Sequence, residues 1–282
     1  QRGLRIIAPY YLALLIAFIF LAPELWPNLH WYLLYLTNFH IALIGEWPHG
    51  TSHFWSIAIQ QQFYVIWPLI VWLSPRRFLA LAMILFAAMA PLSRYFEYLF
   101  EPPFIWPDKI SWSCFDFFGI GGLMALAIHR GFPLSSRLWK ILGILGFGAF
   151  LILDFGPRLG IPPNPIGPFY ATFLAIGLCG VIASASIGWG NTVGKILETR
   201  FLQKVGLLSY SIYLYHNLAP IILGKIMPFL WWGPYADTIA QTFVRIVLYA
   251  ALTWTMTLAS WKYLEVPLGN LREKAKQKAS LG

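Results

Sequence analysis

The most constraining feature of this chain is a succession of apolar runs that reach, or nearly reach, the length needed to cross about 30 Å of hydrocarbon. They lie at residues 6–22, 54–73, 78–91, 113–129, 139–155, 167–187, 206–226 and 239–262. Lipid offers no partners to backbone N–H and C=O groups, so such segments must be helices that close their own hydrogen bonds. The predicted fold is an all-α polytopic transmembrane helix bundle of about eight spans. Composition agrees: 59% of the residues are hydrophobic and 11% charged, against about 45–50% and about 25% in soluble domains. No linker isolates a soluble domain, so one transmembrane domain is expected over residues 1–270. A basic cytoplasmic tail, 271–282, follows it and suits anionic membrane lipid. Cys114 and Cys179 both fall in apolar runs and are expected as free thiols.

A ninth apolar stretch, 31–45, is shorter and carries Asn38 and His40. Lys and Arg collect on the cytoplasmic side, and they decide its status. If it does not cross, 15 of the 20 basic residues share one side, Arg94, Lys109, Arg158 and Lys225 face the other, and Arg245 lies inside a span. If it crosses, the division is 6 against 13. Eight spans with both ends cytoplasmic follow, and the net charge of +9 reflects topology rather than nucleic-acid binding. The outer face would then hold residues 23–53, 92–112, 156–168 and 227–238. The first of these carries His30, His40, His49 and His53.

Polar residues within the spans narrow the function further, because each needs protein or water to satisfy it. In HFWSIAIQQQFYVIWP, residues 53–68, the amides Gln60, Gln61 and Gln62 enter a span, with Gln60 about 10 Å along the helix from His53. They either bond neighbouring helices or line a site. His216 lies in YLYHNLAP beside Tyr213 and Asn217, as a hydrogen-bonded structural residue or as lining of a substrate path. Asp116, followed by Gly119, Gly121 and Gly122, reads as a cap or a close helix contact. Arg245 costs about 2.5–3.5 kcal/mol in mid-span unless paired, so it either binds a carboxylate such as Asp116 or Asp154 or lines an anion path. Arg2 and Arg5, at i, i+3, project from one helix face, as a phosphate clamp or as a plain cytoplasmic anchor. His49 and His53 have the spacing of a metal pair, but Pro48 and Gly50 oppose a helix there and no metal is expected. The absence of G-x-S-x-G, P-loop and G-x-G-x-x-G patterns removes several enzyme classes.

Four stretches, in order, resemble the membrane acyltransferase-3 family. HFWSIAIQQQFYVIWP is similar to the family's WSLxxExxFY signature, with Trp55, Ser56, Phe63, Tyr64 and Pro68 in place. FDFFGIGGLMA (115–125), LSYSIYLYHNLAP (208–220) and WKYLEVPL (261–268) follow. The resemblance implies a multi-pass protein of the bacterial inner membrane that moves an acyl group, commonly acetyl, from cytoplasmic acyl-CoA to a hydroxyl of an extracytoplasmic carbohydrate or similar acceptor. Acyl-CoA would be a co-substrate, with no tightly bound cofactor. It makes Arg2 and Arg5 donor-binding residues, His53, Ser56, Gln60, Tyr64 and His216 catalytic candidates, and Trp55, Gln61, Asp116 and Tyr213 core residues, to which Arg245 is added for its charge in mid-span.

Two departures accompany the resemblance. RGLRIIAPYY, residues 2–11, matches the family's RxxR element, which implies about two further spans upstream bearing an R-x10-H element with the general base. This sequence has no counterpart of it. Gln60 also stands where the family has Glu, and an amide cannot take up a proton, so a Glu-dependent reaction would be impaired or altered. The alternatives are a transporter or flippase, which predicts matching repeats that the sequence lacks, and a catalytically silent membrane relic.

Overall fold

The computed structural model describes residues 3–100, 106–160, 166–228 and 238–271. Among them the chain forms helices and no strand: α1 (Gly3–Leu25), α2 (Leu29–Leu33), α3 (Thr37–Ile44), α4 (Phe54–Leu73), α5 (Leu79–Leu99), α6 (Phe115–His129), α7 (Arg137–Phe155), α8 (Tyr170–Ile187), α9 (Thr192–Leu197), α10 (Arg200–Tyr215), α11 (Leu218–Ile226) and α12 (Ile239–Ser260). Six helical stretches are long and apolar enough to span a membrane, and a bent pair, Ile6–Leu21 with Pro23–Leu33, makes up to seven. Their outer surfaces are apolar: Trp72 on α4 is 80% exposed and Ile144 on α7 is 74% exposed, as expected where lipid is the solvent.

Three segments depart from, or refine, the sequence expectation. The 206–226 run is not one helix but α10 and α11, broken at His216 and Asn217. Helix α5 continues past Pro91 to Leu99, because a missing N–H costs a membrane helix one bond that its surroundings can replace. The stretch at 31–45 is divided between the end of α2 and the eight residues of α3, and α3 is about 12 Å of helix, too short to cross.

The chain folds as two compact units. The first comprises Gln1–Leu33, Trp47–Phe54 and Glu198–Gly282. Here α1 bends by 112° between Leu21 and Pro23, where Leu21 leaves helical geometry (φ −131°, ψ 28°) and Pro23 lacks an N–H. The buried Tyr10 hydroxyl donates to the Tyr32 carbonyl (2.7 Å), and the Tyr32 and Thr51 hydroxyls share a hydrogen bond (2.8 Å). Tyr10 and Tyr32 both set their rings edge-on to Phe54. A π-helical turn, Trp261–Glu265, extends α12.

The second unit comprises Leu34–Glu46 and Trp55–Leu197. Glycines bring α7 and α8 to backbone contact: a Cβ on Gly146 would lie 2.5 Å from the Gly177 nitrogen, and one on Gly180 2.5 Å from the Gly143 Cα. Gly119 does the same for α6 against α5, where its Cβ would meet Ala87, so the close contact expected after Asp116 is present. Phe63 of α4 stacks on Phe118 of α6 at 3.8 Å between ring centroids. Cys114 is half-buried, Cys179 buried, and both are free thiols.

Candidate functional site

In the first unit the break between α10 and α11 organises the polar residues. The last carbonyls of a helix have no N–H of their own to accept from, and two imidazoles supply donors here. His53 Nε2–H donates to the Leu214 carbonyl (2.9 Å), and His216 Nδ1–H donates to the Tyr213 carbonyl (2.6 Å). Each bond requires a proton on the bonded nitrogen; in neutral His53 this leaves the lone pair on Nδ1, and in His216 it leaves Nε2 as the nitrogen not used. The rings stand 5.1 Å apart, with Tyr213 at 5.8 Å from the first and 5.3 Å from the second. The Tyr213 hydroxyl reaches back to the His53 carbonyl (3.4 Å), and the Asn217 amide donates to Ser52 (3.1 Å). His53 is 4% exposed, whereas His216 is open. Burial pushes the His53 pKa down to about 4, because the low-dielectric surroundings penalise the imidazolium. A neutral imidazole beside an accessible one can hold or relay a proton.

The same unit holds a carboxylate that the sequence reading passed over. Glu265 is buried and accepts from the Ser211 hydroxyl (2.5 Å) and the Ser260 hydroxyl (3.3 Å). Its signal was a solitary Glu in the apolar WKYLEVPL run, since a charge at membrane depth needs a partner. Arg245 lies half-buried on α12. Arg5 falls in the first turns of α1, but its side chain lies outside the described residues, as do Arg2 and the tail at 272–282.

In the second unit the glutamines divide by role. Gln62 is structural: its amide donates to the Tyr35 carbonyl (2.6 Å) and Asn38 Oδ1 (2.9 Å), and its carbonyl accepts from Ser111. Gln60 donates to the Tyr64 hydroxyl one turn on (3.0 Å), which pairs the two signature positions on one face of α4. Half-buried Gln61 has an amide nitrogen with no hydrogen-bond partner among the described residues. Half-buried Trp55 lies under the Lys109 ammonium at 5.3 Å, and Ser56, also half-buried, is on the first turn of α4.

Asp116 is fully buried and is claimed by Arg94, another residue the sequence reading did not single out. Arg94 donates through Nη2 to Asp116 (2.6 Å) and Thr172 (2.9 Å), through Nη1 to the Ser113 carbonyl (2.5 Å), and through Nε to the Pro168 carbonyl (2.7 Å). The carboxylates suggested for Arg245 are thus engaged elsewhere, Asp154 facing Arg158 at 4.0 Å. Among the described residues no three His, Cys, Asp or Glu side chains converge as a metal site.

Comparison with known proteins adds a family. The family model described as "Acyltransferase domain" matches residues 1–264. The peptidoglycan O-acetyltransferase OatA of Listeria monocytogenes serovar 1/2a is 24% identical over 305 aligned positions, covering 95% of this chain and 45% of that protein. A provisionally named peptidoglycan O-acetyltransferase, YrhL of Bacillus subtilis (strain 168), is 25% identical over 236 positions, covering 78% of this chain and 35% of that protein. The chain therefore spans less than half the length of these relatives. No solved structure matches it significantly.

Proposed function

The chain belongs to the acyltransferase domain family, and from that premise we propose that it forms the membrane core of an O-acyltransferase in the bacterial inner membrane. The donor is cytoplasmic acyl-CoA, with acetyl as the acyl group, and the acceptor is a hydroxyl of an extracytoplasmic carbohydrate of the peptidoglycan kind. The observation that carries the reading is the family match over 1–264; the names of the two relatives supply the acceptor class.

The reaction joins the acceptor oxygen to the acyl carbon, releases CoA as its thiol, and needs a base for the hydroxyl proton. The resemblance to the acyltransferase-3 pattern puts that base on the R-x10-H element. Within this chain, neutral His53 and accessible His216 would hold or pass the proton, through His53 Nδ1 and His216 Nε2. Arg2 and Arg5 would take the CoA phosphates. The Gln60–Tyr64 pair presents neutral hydrogen-bond donors and acceptors rather than a charge, so its part is to orient substrate.

The test uses the complete native protein in sealed inverted membrane vesicles, with labelled acetyl-CoA outside and peptidoglycan fragments inside. Base-labile label on the fragments is the expected result. No transfer from acetyl-CoA or any longer acyl-CoA would overturn the reading.

A further inference from the structure

We infer that the first unit carries a subsite for a single acidic sugar ring of the acceptor. The inference rests on the carbohydrate-acceptor reading above and adds the residues and the charge of the ligand. A cleft of about 230 Å³ opens beside the bend of α1, against α11, and Glu24, His49 and Lys225 are among the residues that line it. Leu21, Pro220 and Ile221 supply its apolar lining. That volume lies below the about 300–1,000 Å³ of ordinary ligand pockets, so it admits one ring rather than an oligomer.

The cleft is built rather than incidental. Gly50, at φ +68°, lets the backbone of the 48–53 loop lie directly on Ile221, where a Cβ would fall 1.5 Å from the Ile221 Cδ1. The Thr51–Tyr32 hydrogen bond ties the same loop to α2, and together they hold His49 at the wall. Glu24 and Lys225 carry opposite charges on one cleft without pairing with each other or with any other described residue, so both remain open to a ligand.

Their chemistry specifies that ligand. The Glu24 carboxylate accepts from sugar O–H or amide N–H groups, the Lys225 ammonium meets a carboxylate, and His49 does either. The apolar lining takes the flat face of the ring. The charge pattern of the sequence places residues 23–53 and the chain beyond Lys225 on the outer face, where such an acceptor would be met.

The experiment measures binding without any acyl donor, on the complete native protein in phosphatidylglycerol nanodiscs. The probes are the carboxylate-bearing disaccharide of peptidoglycan and the neutral N,N′-diacetylchitobiose. The acidic disaccharide is expected to bind more tightly, Lys225→Met to weaken it about tenfold, to the level of the neutral one, and Glu24→Gln to weaken both. Unchanged binding in both variants would overturn the subsite, as would the absence of any binding of the acidic disaccharide by the unaltered protein. Because no acyl donor is present, this pattern in a protein that transfers no acyl group would sustain the subsite while the acyltransferase reading fell.

Discussion

Replacing Arg94 with Met removes the cation from a buried pair in which every guanidinium nitrogen is engaged. Arg94 is 6% and Asp116 0% exposed. Two orphaned carbonyls, Ser113 and Pro168, would cost about 0.6 kcal/mol each, the typical value of a hydrogen bond within a membrane bundle. The uncompensated Asp116 carboxylate is the larger part and brings the total to about 3–5 kcal/mol. Asp116 keeps the Thr172 hydroxyl (2.7 Å) and the Phe117 N–H (3.1 Å), which is too little to replace a positive charge. The double variant Arg94→Met, Asp116→Leu discards the stranded charge and retains only the carbonyl losses, so it is expected to cost about 1–2 kcal/mol, less than the single variant. Unfolding by a denaturing detergent, followed by tryptophan fluorescence, measures both. A single variant within about 1 kcal/mol of the unaltered protein, or a double variant worse than the single, would refute the reasoning.

Other perturbations follow from the same geometry. Gly146→Ala forces a Cβ to 2.5 Å from the Gly177 nitrogen and is expected to cost about 1–3 kcal/mol; Gly148→Ala, whose Cβ meets nothing within 4 Å, is the silent control in the same unfolding assay. His53 titrates near 4 when folded and near 6.5 when unfolded, so folding excludes a proton. Stability is then full above pH 6.5 and falls as the pH drops to 4, by about 3 kcal/mol in total; His53→Gln should flatten that slope, and an unchanged slope would show that another group sets it. Gln60→Glu in the complete native protein restores a group that can take a proton, and transfer from acetyl-CoA is expected to rise at least tenfold; no change would remove position 60 from the chemistry.

Much of this architecture was legible in the sequence because lipid makes helix formation obligatory wherever a long apolar run occurs. At 31–45 hydropathy left the count open and basic residues argued against a crossing; the structure puts the end of α2 and the short helix α3 there, and it holds six to seven candidate spans where the sequence predicts about eight. The break at His216 and Asn217 was not legible, because a run-averaged reading absorbs two polar residues among many apolar ones. The polar patch in YLYHNLAP was its only trace. The Arg94–Asp116 pair was missed for a different reason: local spacing governs contacts within a helix, whereas these partners stand 22 positions apart on different helices. Asp116 was accordingly offered to Arg245 while its true partner was counted only as a loop charge. Gln62 and Gln60, two residues apart, take different roles because a helix turns about 200° between them.

The division into units also sets an order of events during synthesis. The second unit is continuous apart from Leu34–Glu46, whereas the first needs both Gln1–Leu33 and Glu198–Gly282. At about 5–20 residues per second, α1 leaves the ribosome roughly ten to forty seconds before α10 exists to receive it. The Tyr210 hydroxyl, which donates to the Ile6 carbonyl (2.8 Å), is therefore among the late bonds. A nascent chain arrested near residue 197 would already hold every segment of the second unit, while α1 would have its contacts with Tyr32 and Phe54 but would still lack those it makes with α10.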